Sequence, residues 1–172
     1  MTYWDNQNRQ FYKEMLKRHP DLWLFVENFI KKKKIDSVLE IGGGYSPVKP
    51  LVSKYLNIDL REECADVYGD FLKIDLTPYK GYDMVVAFAV VEHCDGYEEF
   101  IRRMYSLGTK HLILSFFHGL DRNEDYKKKI VLDGIEVFNN KYSKDKVIQF
   151  MEQDNITDYS LIKVGKDYII IK

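Results

Sequence analysis

The chain has 172 residues, 45% of them hydrophobic and 31% charged, enough to bury one core without disulfides or metals and too few for a second folded domain. Its 26 Lys plus Arg stand against 27 Asp plus Glu for a net charge of -1, so no overall electrostatic pull toward nucleic acid or an anionic membrane is expected. Cys64 and Cys94 form no metal-ligand spacing, the N-terminus shows no signal-peptide pattern, and the longest apolar run, Met84 to Val91, is far short of the ~20 residues that span a bilayer, which together predict a reducing, cytoplasmic setting with no metal and no membrane segment.

Asn6 to Arg18 and Pro20 to Lys33 both read as helices, the second with Leu22, Phe25, Val26, Phe29 and Ile30 at helical spacing. Pro20 disfavours helical backbone in His19 and suits a first turn, so it closes one helix and opens the next. Lys31 to Lys34 stand where a helix C-terminus welcomes positive charge. Beyond them, short apolar runs alternate with helical or turn segments, the pattern of a parallel sheet with covering helices. The runs are Ser37 to Ile41, Tyr55 to Asp59, Asp83 to Ala89 and His111 to Phe116, with Asp66 to Gly69 a weaker fifth. Pro47 and Pro50 make any helix after the first strand short or late to begin. Glu98 to Leu107 and Ser143 to Gln153 read as amphipathic helices, with Ser143 as an N-cap. Ser160 to Val164 and Tyr168 to Ile171 are joined by the tight turn Gly165-Lys166-Asp167, so they pair antiparallel and finish the sheet as a hairpin. Lys129 to Leu132 and Ile135 to Phe138, around Asp133-Gly134, predict another hairpin inside an insertion over residues 117–142.

The strongest local signal is Val38-Leu39-Glu40-Ile41-Gly42-Gly43-Gly44-Tyr45-Ser46, a buried strand running into three glycines. Glycine takes positive φ and carries no side chain to hold a ligand off the backbone, although such runs also serve as plain turns. Asp59 ends the next strand, where a carboxylate can accept both hydroxyls of a ribose. A dinucleotide-binding turn would place its third glycine two residues after Tyr45, where Pro47 stands, which counts against a pyrophosphate site.

These motifs resemble the class I S-adenosylmethionine-dependent methyltransferases, in the broad group with Glu-His after the fourth strand. The match covers roughly Ile35 to Phe116 by motif and the remainder by order of elements. The resemblance implies an α/β fold, Rossmann-like and doubly wound, with a mostly parallel sheet ending in an antiparallel C-terminal hairpin and with N-terminal helices over residues 1–34, all in one domain of residues 1–172. It further implies that Glu40 and the Gly42, Gly43, Gly44 turn hold the methionine end of S-adenosylmethionine and that Asp59, with Leu60 beside it, takes the ribose. Gly69-Asp70-Phe71 resembles the segment where an acid meets the adenine amino group and an apolar ring packs on the base. Tyr82 to His93 is similar to the fourth strand and its exit, with Phe88 on the cofactor and Glu92 toward the substrate. Ser46 replaces a small residue that is often glycine in this family.

Methyl transfer from a sulfonium is a direct displacement, so positioning supplies much of the catalysis and a general base is optional. His93 is the first candidate for that base, because imidazole titrates near neutral pH, with a backbone-bonded, turn-shaping role as its alternative. His118, after the fifth strand, is the second, whereas His19 and His111 read as structural. Tyr3, Trp4 and Tyr12 are candidates for a lid over the cofactor, Trp4 and Tyr12 with substrate contacts, and core packing is their alternative. The expected activity is methyl transfer to a small molecule bound between the N-terminal helices and Phe117 to Lys141. Methylation of RNA or protein is the first alternative and would need a cationic rim from Lys31 to Lys34 and Lys127 to Lys129. An inactive cofactor-binding partner of another methyltransferase is the second, opposed by intact Glu40, Asp59 and Asp70.

Overall fold

The computed structural model describes residues 14, 16–117, 120–132 and 135–172. Most of the Asn6 to Arg18 stretch, with Tyr3, Trp4 and Tyr12, lies outside them, as does His118; residues 14 and 16–18 are helical.

Helix α1 is Pro20–Lys33, with Pro20 in its first turn beside Asp21 and with Lys31, Lys32 and Lys33 in its last. Lys34 closes it in left-handed conformation (φ 55°), and Ile35 donates back to Ile30 O at 3.1 Å. Then come β1 (Ser37–Ile41), β2 (Lys54–Asp59), β3 (Val67–Tyr68) and β4 (Met84–Ala87). Helix α2 (Tyr97–Ser106) leads to β5 (His111–Phe116). After it follow β6 (Asp121–Tyr126), β7 (Lys129–Leu132), β8 (Ile135–Phe138), β9 (Lys141–Ser143), helix α3 (Lys144–Gln153), β10 (Ser160–Val164) and β11 (Asp167–Ile171).

The main sheet runs β10-β11-β5-β4-β1-β2-β3. Its strands from β3 to β5 are parallel, and β11 inserts antiparallel between β5 and β10. The closing hairpin therefore docks by its second strand, and strand order reverses between β1 and β4, where open α/β sheets place their crevice. Every residue of β1 and β4 is buried, as the central strands of a sheet covered on both faces must be. Leu22, Val26 and Ile30 of α1 cover Val38, Met84, Val86 and Ile113, while Tyr97, Phe100, Ile101 and Met104 of α2 lie with Leu39, Val85 and Leu114 on the other face.

Several elements depart from expectation. The fourth parallel strand stops at Ala87, because Ala89 has a left-handed backbone (φ 56°) that no strand accommodates. After the glycine turn only a 3-10 turn, Lys49–Leu51, forms, consistent with the two prolines. Ser143 precedes α3 without a side-chain capping bond; its own N–H donates to Asp125 Oδ1 at 2.7 Å. The insertion holds the expected β7–β8 hairpin and also the β6–β9 pair. No helix among the described residues is long and apolar enough to cross a membrane.

Candidate functional site

At the end of β1 the chain turns on Gly42 (φ 65°) and Gly44 (φ 53°), backbone that glycine adopts without strain. Close packing demands glycine as well: a Cβ on Gly42 would come within 2.6 Å of Val90 Cγ2, and one on Gly43 within 2.7 Å of the Glu40 carboxyl carbon. All three N–H groups of the turn are used by β2. Gly42 donates to Ile58 O at 2.7 Å, Gly43 to Asn57 Oδ1 at 2.9 Å and Gly44 to Asp59 Oδ2 at 2.9 Å. A phosphate-binding turn keeps such donors for its ligand, so this one is closed to a pyrophosphate. Asn57, fully buried on β2, was missed as a site residue; its signal was a lone amide in an apolar strand, which burial obliges to find partners.

Beneath the turn lies Glu40, 1% exposed. Burial pushes its carboxyl up to about 7, opposed by hydrogen bonds with Ser46 and Tyr55 and assisted by the charge of Asp59. Tyr55 Oη donates to Glu40 Oε2 at 2.9 Å. Asp59, at the tip of β2, accepts the N–H of Gly44 on Oδ2 and the N–H of Arg61 on Oδ1, each at 2.9 Å. A carboxylate has about four lone-pair sites, so both oxygens retain capacity for a ligand hydroxyl. Arg61 holds its Nε 3.6 Å from Asp59 Oδ1 and packs its guanidinium against Gly44.

The next corner is Gly69 to Leu72. Asp70 Oδ1 accepts the Leu72 N–H at 2.9 Å, and Phe71 packs on Phe100 with ring centroids 5.0 Å apart. Arg103 of α2 donates to Phe71 O at 2.8 Å and also to Ile74 O, which fixes the corner from below.

On the far side, Phe88 meets Trp23 of α1 edge-on at 4.8 Å. The 3-10 turn Val91–His93 that follows is strapped down by the segment after β8. Asn140 N–H donates to Glu92 O at 2.9 Å, Asn140 Nδ2 to Cys94 O at 2.7 Å, and Tyr142 Oη to Val91 O at 3.0 Å. His93 Nδ1 lies 2.7 Å from Phe138 O. A carbonyl only accepts, so Nδ1 is the donor, which leaves Nε2 as the ring nitrogen that could act as a base.

These elements enclose a cavity of about 320 Å³ lined by Glu40, Gly42, Gly43, Asp59, Leu60, Asp70, Phe71, Phe88 and His93, and also by Trp23, Arg61, Ala89, Val90, Cys94 and Val137. Gly44 is outside the lining and acts through Asp59. Glu92 is buried away from the cavity wall, and its Oε1 accepts the Phe117 N–H. Trp4, Tyr12 and His118 are outside the described residues.

None of the lysines expected at a cationic rim lines the cavity. Lys31 to Lys34 end α1 only three residues before β1 starts, at the edge of the sheet opposite the glycine turn. Lys127 pairs with Asp95 and Lys129 with Glu136. Glu40, Asp59 and Asp70 line the cavity with Arg61 as the cation among the lining residues. Burial pushes the thiols of Cys64 and Cys94 up to about 11 and about 12, which favours the protonated form of both. Among the described residues, no group of three His, Cys, Asp or Glu side chains is arranged to hold a metal ion.

No protein-family model and no curated protein sequence matches the chain. Solved structures do. Magnesium protoporphyrin IX methyltransferase from Synechocystis PCC 6803, with bound S-adenosylhomocysteine, is similar at TM-score 0.62 and 14% identity over 92% of this chain and 84% of its own. The N-terminal domain of EvdMO1, in the presence of S-adenosylhomocysteine and D-fucose, is similar at TM-score 0.62 and 13% identity over 89% and 82%. The 1,6-didemethyltoxoflavin N1-methyltransferase of Burkholderia thailandensis is similar at TM-score 0.52 and 10% identity over 83% and 72%. At these identities the likeness is one of fold: the chain has the class I, Rossmann-like fold of S-adenosylmethionine-dependent methyltransferases.

Proposed function

We propose that this chain is an S-adenosylmethionine-dependent methyltransferase acting on a small molecule in the cytoplasm. The observation that carries the reading is the cavity at the strand-order reversal. Its three carboxylates, Glu40, Asp59 and Asp70, are strung along an apolar floor, under a glycine turn whose donors are closed to phosphate. The cradle fits the cofactor's parts. Glu40 suits the α-ammonium, the free lone pairs of Asp59 suit the ribose hydroxyls, and Asp70 with Phe71 suits the adenine amino group and ring. Structural neighbours crystallised with S-adenosylhomocysteine, and in two cases named for D-fucose or didemethyltoxoflavin, support the cofactor and a small acceptor.

Bound there, S-adenosylmethionine supplies a methyl group on a sulfonium, open to in-line displacement. The protein's part is to hold the acceptor in line, which Phe88, Trp23 and the strapped Val91–His93 turn accomplish by shape. His93 Nε2 takes the acceptor's proton. The test of the reading is calorimetric titration with S-adenosylmethionine and, separately, with NAD. Saturable binding of the first and none of the second is expected, and the opposite result overturns the reading.

His93 has a separable prediction. His93→Asn retains a donor for Phe138 O and loses the basic nitrogen, whereas His93→Ala loses both. Both variants are expected to bind cofactor as the wild type does, and His93→Asn to slow transfer to the acceptor found by screening by about 10²-fold. Full turnover in His93→Asn, measured with a labelled methyl group, would reduce His93 to a strap.

A further inference from the structure

The cavity leaves one buried titratable pair unused. His19, just before α1, and Asp167, the first residue of β11, are 148 positions apart and only 2% and 1% exposed. His19 Nδ1 lies 2.7 Å from Asp167 Oδ2. The carboxylate accepts, so Nδ1 is the donor of this pair and Nε2 is the ring nitrogen left over. Neither His19 Nε2 nor Asp167 Oδ1 has a hydrogen-bond partner among the described residues. Two neighbouring buried polar atoms without a partner are rare and costly unless something else supplies one.

A second cavity, of about 230 Å³, opens against this pair, with Arg18, Asp21 and Lys166 among its walls. Two cations there offset two carboxylates, so the space has no net attraction for an anion. Its position is informative. Asp167 stands at the carboxyl edge of the parallel strands, since its neighbour Tyr168 pairs with Phe116 at the end of β5. The His19 ring lies 3.5 Å from the ring of Phe117, and Phe117 is held by Glu92 at the exit of β4. Trp23, one turn along α1, donates its backbone N–H to His19 O and lines the cofactor cavity.

We propose that His19 Nε2 and Asp167 Oδ1 form a subsite that receives a hydrogen-bond donor of the methyl acceptor other than the group whose proton goes to His93, so that the acceptor carries an alcohol or amine, and not a carboxylate, at that position. The assignment as acceptor subsite rests on the methyltransferase reading; the donor site itself does not. Asp167 fixes the imidazole tautomer, and the ligand's X–H donates to Nε2.

Benzyl alcohol, benzylamine and benzoate, one skeleton with three head groups, test this. Each is titrated into the full chain with S-adenosylhomocysteine present and followed in the long-range ¹H–¹⁵N spectrum of the histidine rings, the His19 signals being assigned by their loss in His19→Gln. Expected are a lone-pair Nε2 in the free protein, a shift of that signal with the alcohol and the amine but not with benzoate, and at least about tenfold weaker binding of both in Asp167→Asn. A protonated Nε2, equal binding of benzoate, undiminished affinity in Asp167→Asn, or no shift with any of the three overturns the proposal. If Asp167→Asn does not fold, His19→Gln followed by saturation transfer to the ligands makes the same comparison. Alcohol binding by a chain that fails to bind S-adenosylhomocysteine would support the donor site and overturn the methyltransferase reading, so the two failures are distinguishable.

Discussion

Glu40→Gln is expected to bind S-adenosylmethionine at least about tenfold more weakly than the wild type near pH 8 and yet to melt several degrees higher there. Burial without full compensation raises the Glu40 carboxyl to about 7, against about 4.5 in the unfolded chain. The folded chain thus keeps a proton that the unfolded chain gives up. Stability falls as pH climbs from about 4.5 to about 7 and is lower by on the order of 3 kcal/mol above that range. Glutamine carries no such penalty and still accepts from Tyr55, so the two proteins should melt alike near pH 4 and diverge as pH rises. Binding has the opposite sign. A cationic ammonium beside Glu40 favours the ionised carboxylate, so wild-type affinity should strengthen with pH through about 7 while the variant's stays flat. Parallel melting and calorimetric series between about pH 5 and pH 8 measure both. A variant that binds as tightly as the wild type, with no pH dependence in either, would remove Glu40 from the cofactor site.

The features that sequence reading recovered are those in which cause and effect are neighbours in the chain. Ser37–Ile41 and His111–Phe116 are strands at the expected bounds because their apolar runs are self-contained. The turn at Gly42 to Gly44 is equally legible, since the glycines themselves determine the backbone there. By contrast, β6 is the polar stretch DRNEDY, with no alternation to mark it, and is a strand only through pairing with Lys141–Ser143. The same separation hid the strap on the Val91–His93 turn. Asn140 and Tyr142 reach it from roughly fifty positions away, and no local pattern announces that an amide will bond a distant carbonyl. Arg103 under Phe71 is a further case: on α2 it reads as an ordinary last-turn cation. His19 read as structural because Asp167, which gives its ring a direction, lies at the other end of the chain.

Asp59 is where the local reading and the folded structure together change the expected outcome of a mutation. From the sequence, Asp59→Ala simply deletes a ribose acceptor and weakens cofactor binding by about 1.5 to 3 kcal/mol. In the fold, the same carboxylate also accepts the N–H groups of Gly44 and Arg61 and steadies the Arg61 guanidinium. Asp59→Ala should therefore cost stability as well, about 1 to 3 kcal/mol, with water partly replacing the lost acceptor because Gly44 and Arg61 are only half-buried. Asp59→Asn keeps one oxygen for the backbone and should lose less stability while losing comparable affinity for the cofactor. A third readout follows from charge. The negative charge of Asp59 helps to hold the Glu40 carboxyl high, so its removal should move the pH dependence of binding to lower pH. Melting and calorimetry on the two variants separate these effects. Undiminished affinity in Asp59→Asn would leave Asp59 as a clamp for the glycine turn and transfer ribose recognition elsewhere in the cavity. Lost affinity with a lowered pH midpoint would tie both carboxylates to one ligand.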